Sequence, residues 1–196
     1  MKAILKLIIT LTIICVVAAV SLSFVHQITL KPIAYQKRME KIRALKKVLP
    51  AYDNHPDKDV LKIKGEKGKP IEVNLAKKGG KLVAVAFRVV SHKGYGGNIE
   101  ILMGVDIKGK ITGIEILSMA ETPGLGARIE EPAFKKQFVG RTLKNTKWAV
   151  KKDGGDIDQI TGATISPRAV TEAVHHGLQM FEKKILPALK SKGAIQ

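Results

Sequence analysis

Leu82-Val83-Ala84-Val85-Ala86-Phe87-Arg88-Val89-Val90 is the stretch on which the fold turns. It carries a single charge and is rich in β-branched and aromatic side chains, so it reads as a strand. Residues 99–107 and 110–117 repeat that character, and Asp106-Ile107-Lys108-Gly109-Lys110 between them has the glycine of a hairpin turn. Upstream, residues 71–75 predict a short strand. Downstream, 130–139 predicts a short helix with Phe134 and Phe138 on one face at i, i+4. Residues 146–150, around the only tryptophan, Trp148, predict another strand, closed by the turn Asp153-Gly154-Gly155-Asp156. The last element is long: Ser166 is the expected N-cap and Pro167 the first helical residue. Val170, Val174, Gly177/Leu178, Phe181 and Ile185 then form one apolar stripe, and Pro187 is expected to end or kink the helix. Strands followed by separate helices predict an α+β fold, with a mostly antiparallel sheet and flanking helices.

Residues 7–25, LIITLTIICVVAAVSLSFV, are uncharged. As a helix they rise about 28 Å, close to the hydrocarbon thickness of a bilayer. A cleaved signal peptide is the competing reading, with Ala18-Ala19-Val20-Ser21 as a passable cleavage site. The apolar run continues past that site through Phe24-Val25, which favours a retained transmembrane anchor. Residues 34–50 predict a separate juxtamembrane amphipathic helix, with Tyr35, Met39, Ile42, Leu45 and Val48/Leu49 at helical spacing. Pro32 precedes it and Pro50 ends it. Pro56, Gly65, Gly68, Pro70, Gly79 and Gly80 punctuate 51–80. The expected organisation is therefore an anchor at 1–30, a juxtamembrane helix at 31–50 and one domain at 51–196.

The 196 residues carry 34 Lys+Arg against 17 Asp+Glu, a formal charge of +17. The lysines are spread along the chain and the aromatics are few, which argues for an anionic membrane surface over nucleic acid. Cys15 is the single cysteine, so no intrachain disulfide or cysteine metal cluster can form. His175 and His176 point about 100° apart on a helix and lack any metal-binding companion pattern, so no metal site is expected. There is no P-loop, no GxGxxG and no convincing nucleophile–base pair.

Chemistry concentrates in Asp158-Gln159-Ile160-Thr161-Gly162-Ala163-Thr164-Ile165-Ser166-Pro167, before the last helix. Helix starts present unpaired N–H groups and partial positive charge, which suits phosphate. Gly162 and Ala163 keep bulk away, while Thr161, Thr164 and Ser166 offer hydroxyls. An ordinary hydroxyl-rich capping region explains the same residues, and this physics does not choose among the three hydroxyls. Two other loops invite close approach: His92-Lys93-Gly94-Tyr95-Gly96-Gly97-Asn98, and Met119-Ala120-Glu121-Thr122-Pro123-Gly124-Leu125-Gly126. In the second, Pro123-Gly124 suits a type II turn.

The 158–166 stretch resembles the flavinylation motif of the FMN-binding domain family, Asp-x-x-Ser/Thr-Gly-Ala-Thr-x-Ser/Thr. The Gly94–Gly97 loop, the strand pair around 104–116, the 121–126 loop and the N-terminal helix resemble the G subunits of Rnf-type electron-transport complexes. That resemblance implies FMN joined to Thr164 by a phosphoester, installed from FAD by a separate flavin transferase. It implies cofactor contacts from Asp158, Thr161, Gly162, Ala163, Ser166, Glu121, Thr122, Leu125, Gly126 and Tyr95, with Asp158 ordering the motif. Relatives commonly have histidine where this chain has Met119. The implied role is an electron carrier among other membrane subunits, between ferredoxin and NAD, coupled to Na+ or H+ translocation. The same domain in the sodium-pumping NADH:quinone reductase is the alternative. A basic anchored binding protein without a cofactor is a third reading. The resemblance places the domain outside the cytoplasmic membrane. Lys31, Lys37, Arg38, Lys41, Arg43, Lys46 and Lys47, against Lys2 and Lys6, argue by positive-inside counting for the opposite side.

Overall fold

The computed structural model describes residues 1–65 and 70–193. Gly68 lies outside them. Residues cluster into two units, 1–41 and 42–196. The first consists of most of helix α1, Lys2–Val48. Its most apolar window has a mean hydropathy of 2.7, long and apolar enough to cross a membrane by length and composition. Pro32 lies inside α1 rather than before a second helix, which corrects the expected break. Proline there removes one backbone donor, and the helix continues beyond the lost bond.

The second unit is built on five antiparallel strands in sequential order: β1 Val60–Lys64, β2 Pro70–Lys78, β3 Lys81–Ser91, β4 Ile99–Asp106 and β5 Ile111–Ser118. The sequence reading contained no β1, whose alternating Leu61 and Ile63 are only partly buried. Along β3 the alternation is in size rather than polarity. Val85, Phe87 and Val89 join the main core, while Ala84 and Ala86 join a second, smaller one. A sheet covered on both faces has no polar side to show, which is why this strand reads as a continuous apolar run.

The main core lies between the sheet and helix α3, Ile165–Met180. Val170, Val174 and Leu178 are buried as the stripe predicts, and Phe181 stacks on Phe87 with ring centroids 6.5 Å apart. Gly177 is the close-approach point, because a Cβ there would lie 2.9 Å from Val89 Cγ1. Pro187 does not stop the chain's helical course. A π-turn at Phe181–Ile185 leads into α4, Leu186–Ser191, with Pro187 in its first turn. That is where a missing N–H costs least.

On the opposite face, Ala44, Leu45, Val48 and Leu49 pack against Ala76, Ala84, Ala86 and Leu102. The cross-strand pair Gly104 and Gly113 lets the backbone of Val48 touch the sheet, for a Cβ on Gly113 would lie 2.9 Å from Val48 Cα. Thr112 Oγ1 donates to the Val48 carbonyl.

Between β5 and α3 the chain is irregular. Residues Gly126–Glu130 form a 3-10 turn and Pro132–Lys136 form α2, so the helix expected over 130–139 is split. Glu131 is extended (φ −60°, ψ 138°), the conformation favoured before proline. Phe134 and Phe138 are nevertheless buried together, edge to face at 5.4 Å. Residues 146–150 are not a strand. They carry an isolated bridge, Val150 to Ile157, and irregular backbone bonds such as the Asp156 N–H to the Lys147 carbonyl, while the Lys147 N–H is taken by Asp156 Oδ2. Trp148 stacks on His175 at 5.7 Å instead of joining a sheet.

Candidate functional site

Thr161 and Gly162 occupy the centre of a tight turn closed by the Ala163 N–H donating to the Ile160 carbonyl at 3.0 Å. Gly162 has φ +78°, a region that L side chains rarely enter, so the turn needs glycine here. The chain then starts α3 two residues earlier than expected. Thr164, not Ser166, is the residue flanking the helix, and Ser166 and Pro167 lie within the first turn. Thr164 has helical dihedrals (φ −71°, ψ −27°) and its side chain makes no capping hydrogen bond. Its carbonyl accepts from the Arg168 N–H. The side chain is half-buried, whereas Thr161 and Gly162 are exposed.

Ser166 differs sharply from both threonines. It is 1% exposed, and its Oγ donates to Glu121 Oε2 at 2.6 Å. Glu121 is also buried, and its other oxygen accepts the Gly96 N–H at 3.1 Å. One carboxylate thus joins three loops: 92–98, 119–126 and 158–166. The glycines around it are tight by necessity. A Cβ on Gly126 would lie 2.5 Å from both Glu121 Oε2 and Ser166 Oγ, and one on Gly94 2.6 Å from Glu121 Oε1. The triple-glycine loop therefore does bring backbone close to something, namely Glu121 and the Ala120 carbonyl.

The 121–126 segment contains the expected turn, with the Leu125 N–H donating to the Thr122 carbonyl at 3.2 Å and Gly124 at φ +75°. It presents Leu125 to the Thr161-Gly162 turn, with Cδ2 3.4 Å from where a Gly162 Cβ would sit. Leu125 and Ile165 are each 45% exposed and Tyr95 72%. A shallow recess of about 630 Å³ lined by Pro123, Gly124, Ala127, Arg128, Glu130 and Glu131 contains no residue of the 158–166 stretch.

Asp158 points its carboxylate to Lys151 Nζ at 2.6 Å, and both side chains are exposed. Its backbone is held by Gln137, whose Oε1 accepts the Asp158 N–H at 2.7 Å while Nε2 donates to the Asp158 carbonyl. Sequence reasoning missed Gln137, because its only signal is spatial. Arg168 clamps Asp153 through two hydrogen bonds of 2.6 and 2.8 Å, and this pairing lowers the Asp153 pKa. Burial, aided by neighbouring His176, pushes the His175 pKa down. No metal-binding group of three or more His, Cys, Asp or Glu occurs among the described residues. Met119 packs against the main core.

These residues fit the phosphate and ring of a flavin. The Thr164 side chain makes no capping hydrogen bond, and it stands at a helix start where the Ile165 and Ser166 N–H groups precede the first intrahelical bond, from the Arg168 N–H to the Thr164 carbonyl. Exposed apolar side chains stand on the adjoining loops for a planar ring system.

Residues 94–179 match the FMN-binding domain family. The G subunit of the ion-translocating oxidoreductase complex from Stutzerimonas stutzeri is 40% identical over 177 residues, covering 87% of this chain and 77% of that protein. Its counterpart from Cereibacter sphaeroides is 38% identical over 174 residues, covering 85% and 79%. The crystal structure of NqrC from Shewanella oneidensis shares the fold, with a TM-score of 0.52 and 24% identity over 74% of this chain and 72% of that one. The apolar α1 and these relatives together support a membrane protein. With such identity over most of both lengths, the chain belongs to the family of G subunits of ion-translocating oxidoreductase complexes, and its three-loop site lies within the FMN-binding domain.

Proposed function

We propose that Thr164 carries FMN through a phosphoester, and that the chain is an electron-carrier subunit of a membrane complex linking ferredoxin and NAD to Na+ or H+ translocation. The observation that carries the attachment site is the contrast among three hydroxyls. Ser166 is buried and donates to Glu121; Thr161 sits mid-turn; Thr164 is partly open, unbonded and at the helix start. In the attachment step the Thr164 hydroxyl attacks the flavin-side phosphorus of FAD. The bond between the two phosphates breaks, AMP leaves, and the hydroxyl proton is lost.

The helix-start N–H groups stabilise the phosphate. Leu125, Tyr95 and Ile165 offer apolar surface to the ring, and Thr122, Gly126 and Glu121 shape the loop that presents Leu125. Gly162 and Ala163 leave the approach to Thr164 open, and Asp158 and Thr161 order the turn. Bound FMN supplies the redox chemistry, which is the cofactor's own. NqrC shares the fold at 24% identity, whereas the G subunit of Stutzerimonas stutzeri is 40% identical over 87% of this chain, which favours the G-subunit reading over the sodium-pumping alternative.

We read 1–30 as the anchor and 31–50 as the juxtamembrane segment, whose last residues, Ala44, Leu45, Val48 and Leu49, complete the core of the flavin domain that continues over 51–196. The domain faces the extracytoplasmic side of the inner membrane, which protease access in intact cells checks. After co-expression with a flavin transferase, wild-type protein is expected to gain the mass of FMN less water and to fluoresce in a denaturing gel. Thr164→Val abolishes both, whereas Thr161→Val and Ser166→Ala remain modified. Flavin on Thr164→Val protein would remove Thr164 as the attachment point.

A further inference from the structure

Ser166 is the terminal hydroxyl of the attachment motif, yet its oxygen is turned into the protein, and Glu121 lies 45 residues away in sequence. Both are buried, at 1% and 7% exposure. Glu121 uses one oxygen for Ser166 and the other for the Gly96 N–H, so it spans the first turn of α3 and the glycine loop. Gly126 packs directly on the pair, since a Cβ there would lie 2.5 Å from both Glu121 Oε2 and Ser166 Oγ, so a side chain at this position would push against the bond. Thr164 is two residues before Ser166 on the same helical start. Its place relative to Leu125 and the Thr161-Gly162 turn therefore follows from where Ser166 is held.

We propose that the Glu121–Ser166 hydrogen bond is a positioning device for flavin attachment: it holds the start of α3 so that the Thr164 hydroxyl is presented to the flavin transferase in one fixed geometry. Glu121 and Ser166 touch neither FAD nor FMN in this role; they act through Thr164. The transferase on this account reads a folded turn and not merely a run of amino acids. The proposal rests on Thr164 being the attachment point.

The test measures transfer of FMN from FAD to the full-length chain in detergent by a purified flavin transferase, with kcat and KM for the acceptor protein resolved separately. Removing a buried hydrogen bond to a carboxylate is expected to slow transfer about tenfold or more in Ser166→Ala and Glu121→Met. Ser166→Thr keeps the hydroxyl and recovers most of the rate. Glu121→Met/Ser166→Ala is no slower than the slower single variant, since the Glu121–Ser166 bond is already lost in each. Hydrogen exchange at residues 160–165 rises in both single variants. Val174→Ala, a core truncation further along the same helix, loses thermal stability but transfers at the wild-type rate.

Wild-type rates in Ser166→Ala and Glu121→Met, or slowing no greater than that of Val174→Ala at matched stability, would overturn the proposal. So would multiplicative effects in the double variant. Flavin retained on Thr164→Val protein would instead sink the attachment assignment beneath it, a separate and recognisable failure.

Discussion

Gly162 shows how much a single position decides. At φ +78° an L residue costs about 1–2 kcal/mol in backbone strain. An added Cβ would meet only Leu125 Cδ2, at an ordinary 3.4 Å, so the cost is in the backbone and not in crowding. Gly162→Ala is therefore expected to leave the domain folded but to loosen the turn, lowering flavin incorporation several-fold at a melting temperature within a few degrees of wild type. Mass spectrometry and a thermal melt on the same preparation check it. The glycine's importance was legible in the sequence, as were the type II turn at Pro123-Gly124 and the hydroxyls before the helix. The occupation of Ser166 was not. A serine before a proline looks like a capping residue, and only the fold brings Glu121 to it across 45 positions.

Periodicity carried most of the secondary structure. The α3 stripe, the β4–β5 hairpin and the apolar run of β3 reported packing that a local pattern records faithfully. It failed where backbone hydrogen bonds go to side chains or turns, as at 146–150, where Trp148 stacks on a histidine. It failed also at the end of α1, where the alanines of β3 gave no hint of a second covered face. Glu115 on β5 marks that second face: it accepts from Lys47 at 2.5 Å and from Lys135 of α2 at 2.6 Å. Burial pushes its pKa up, but the two lysines together outweigh this and hold it below its ordinary value of 4.5. A carboxyl with a lowered folded-state pKa adds stability above its unfolded pKa and loses it as pH falls through the folded one. Glu115→Gln is thus expected to cost roughly 1–2 kcal/mol at pH 7. The difference from wild type should shrink as pH drops below about 4.5, which urea melts across pH 3–7 would show.

At the scale of the whole molecule, the unit over 42–196 takes Ala44, Leu45, Val48 and Leu49 into its own core. Each large apolar side chain among these contributes about 1.5–3 kcal/mol by burial, so together they rival the net stability of a typical domain. A chain starting at Ile42 is expected to be soluble and cooperatively folded. One starting at Ala51 should melt far lower or bind hydrophobic dyes, as calorimetry and dye fluorescence would register. The sequence reading placed the domain's start at 51, because charge and amphipathic spacing look alike in a solvated stalk and in a helix end that completes a core.

Ser166 turned inward on Glu121 is, in a synthetic chemist's vocabulary, a protected alcohol. The 158–166 stretch has three hydroxyl side chains, and the fold masks one of them without a covalent blocking group. What remains open to a reagent is Thr161 and Thr164, only one of which begins a helix. With FMN on Thr164, as proposed, regioselectivity would be a property of the acceptor's tertiary structure. Unfolding the domain would deprotect the serine and present all three hydroxyls on equal terms.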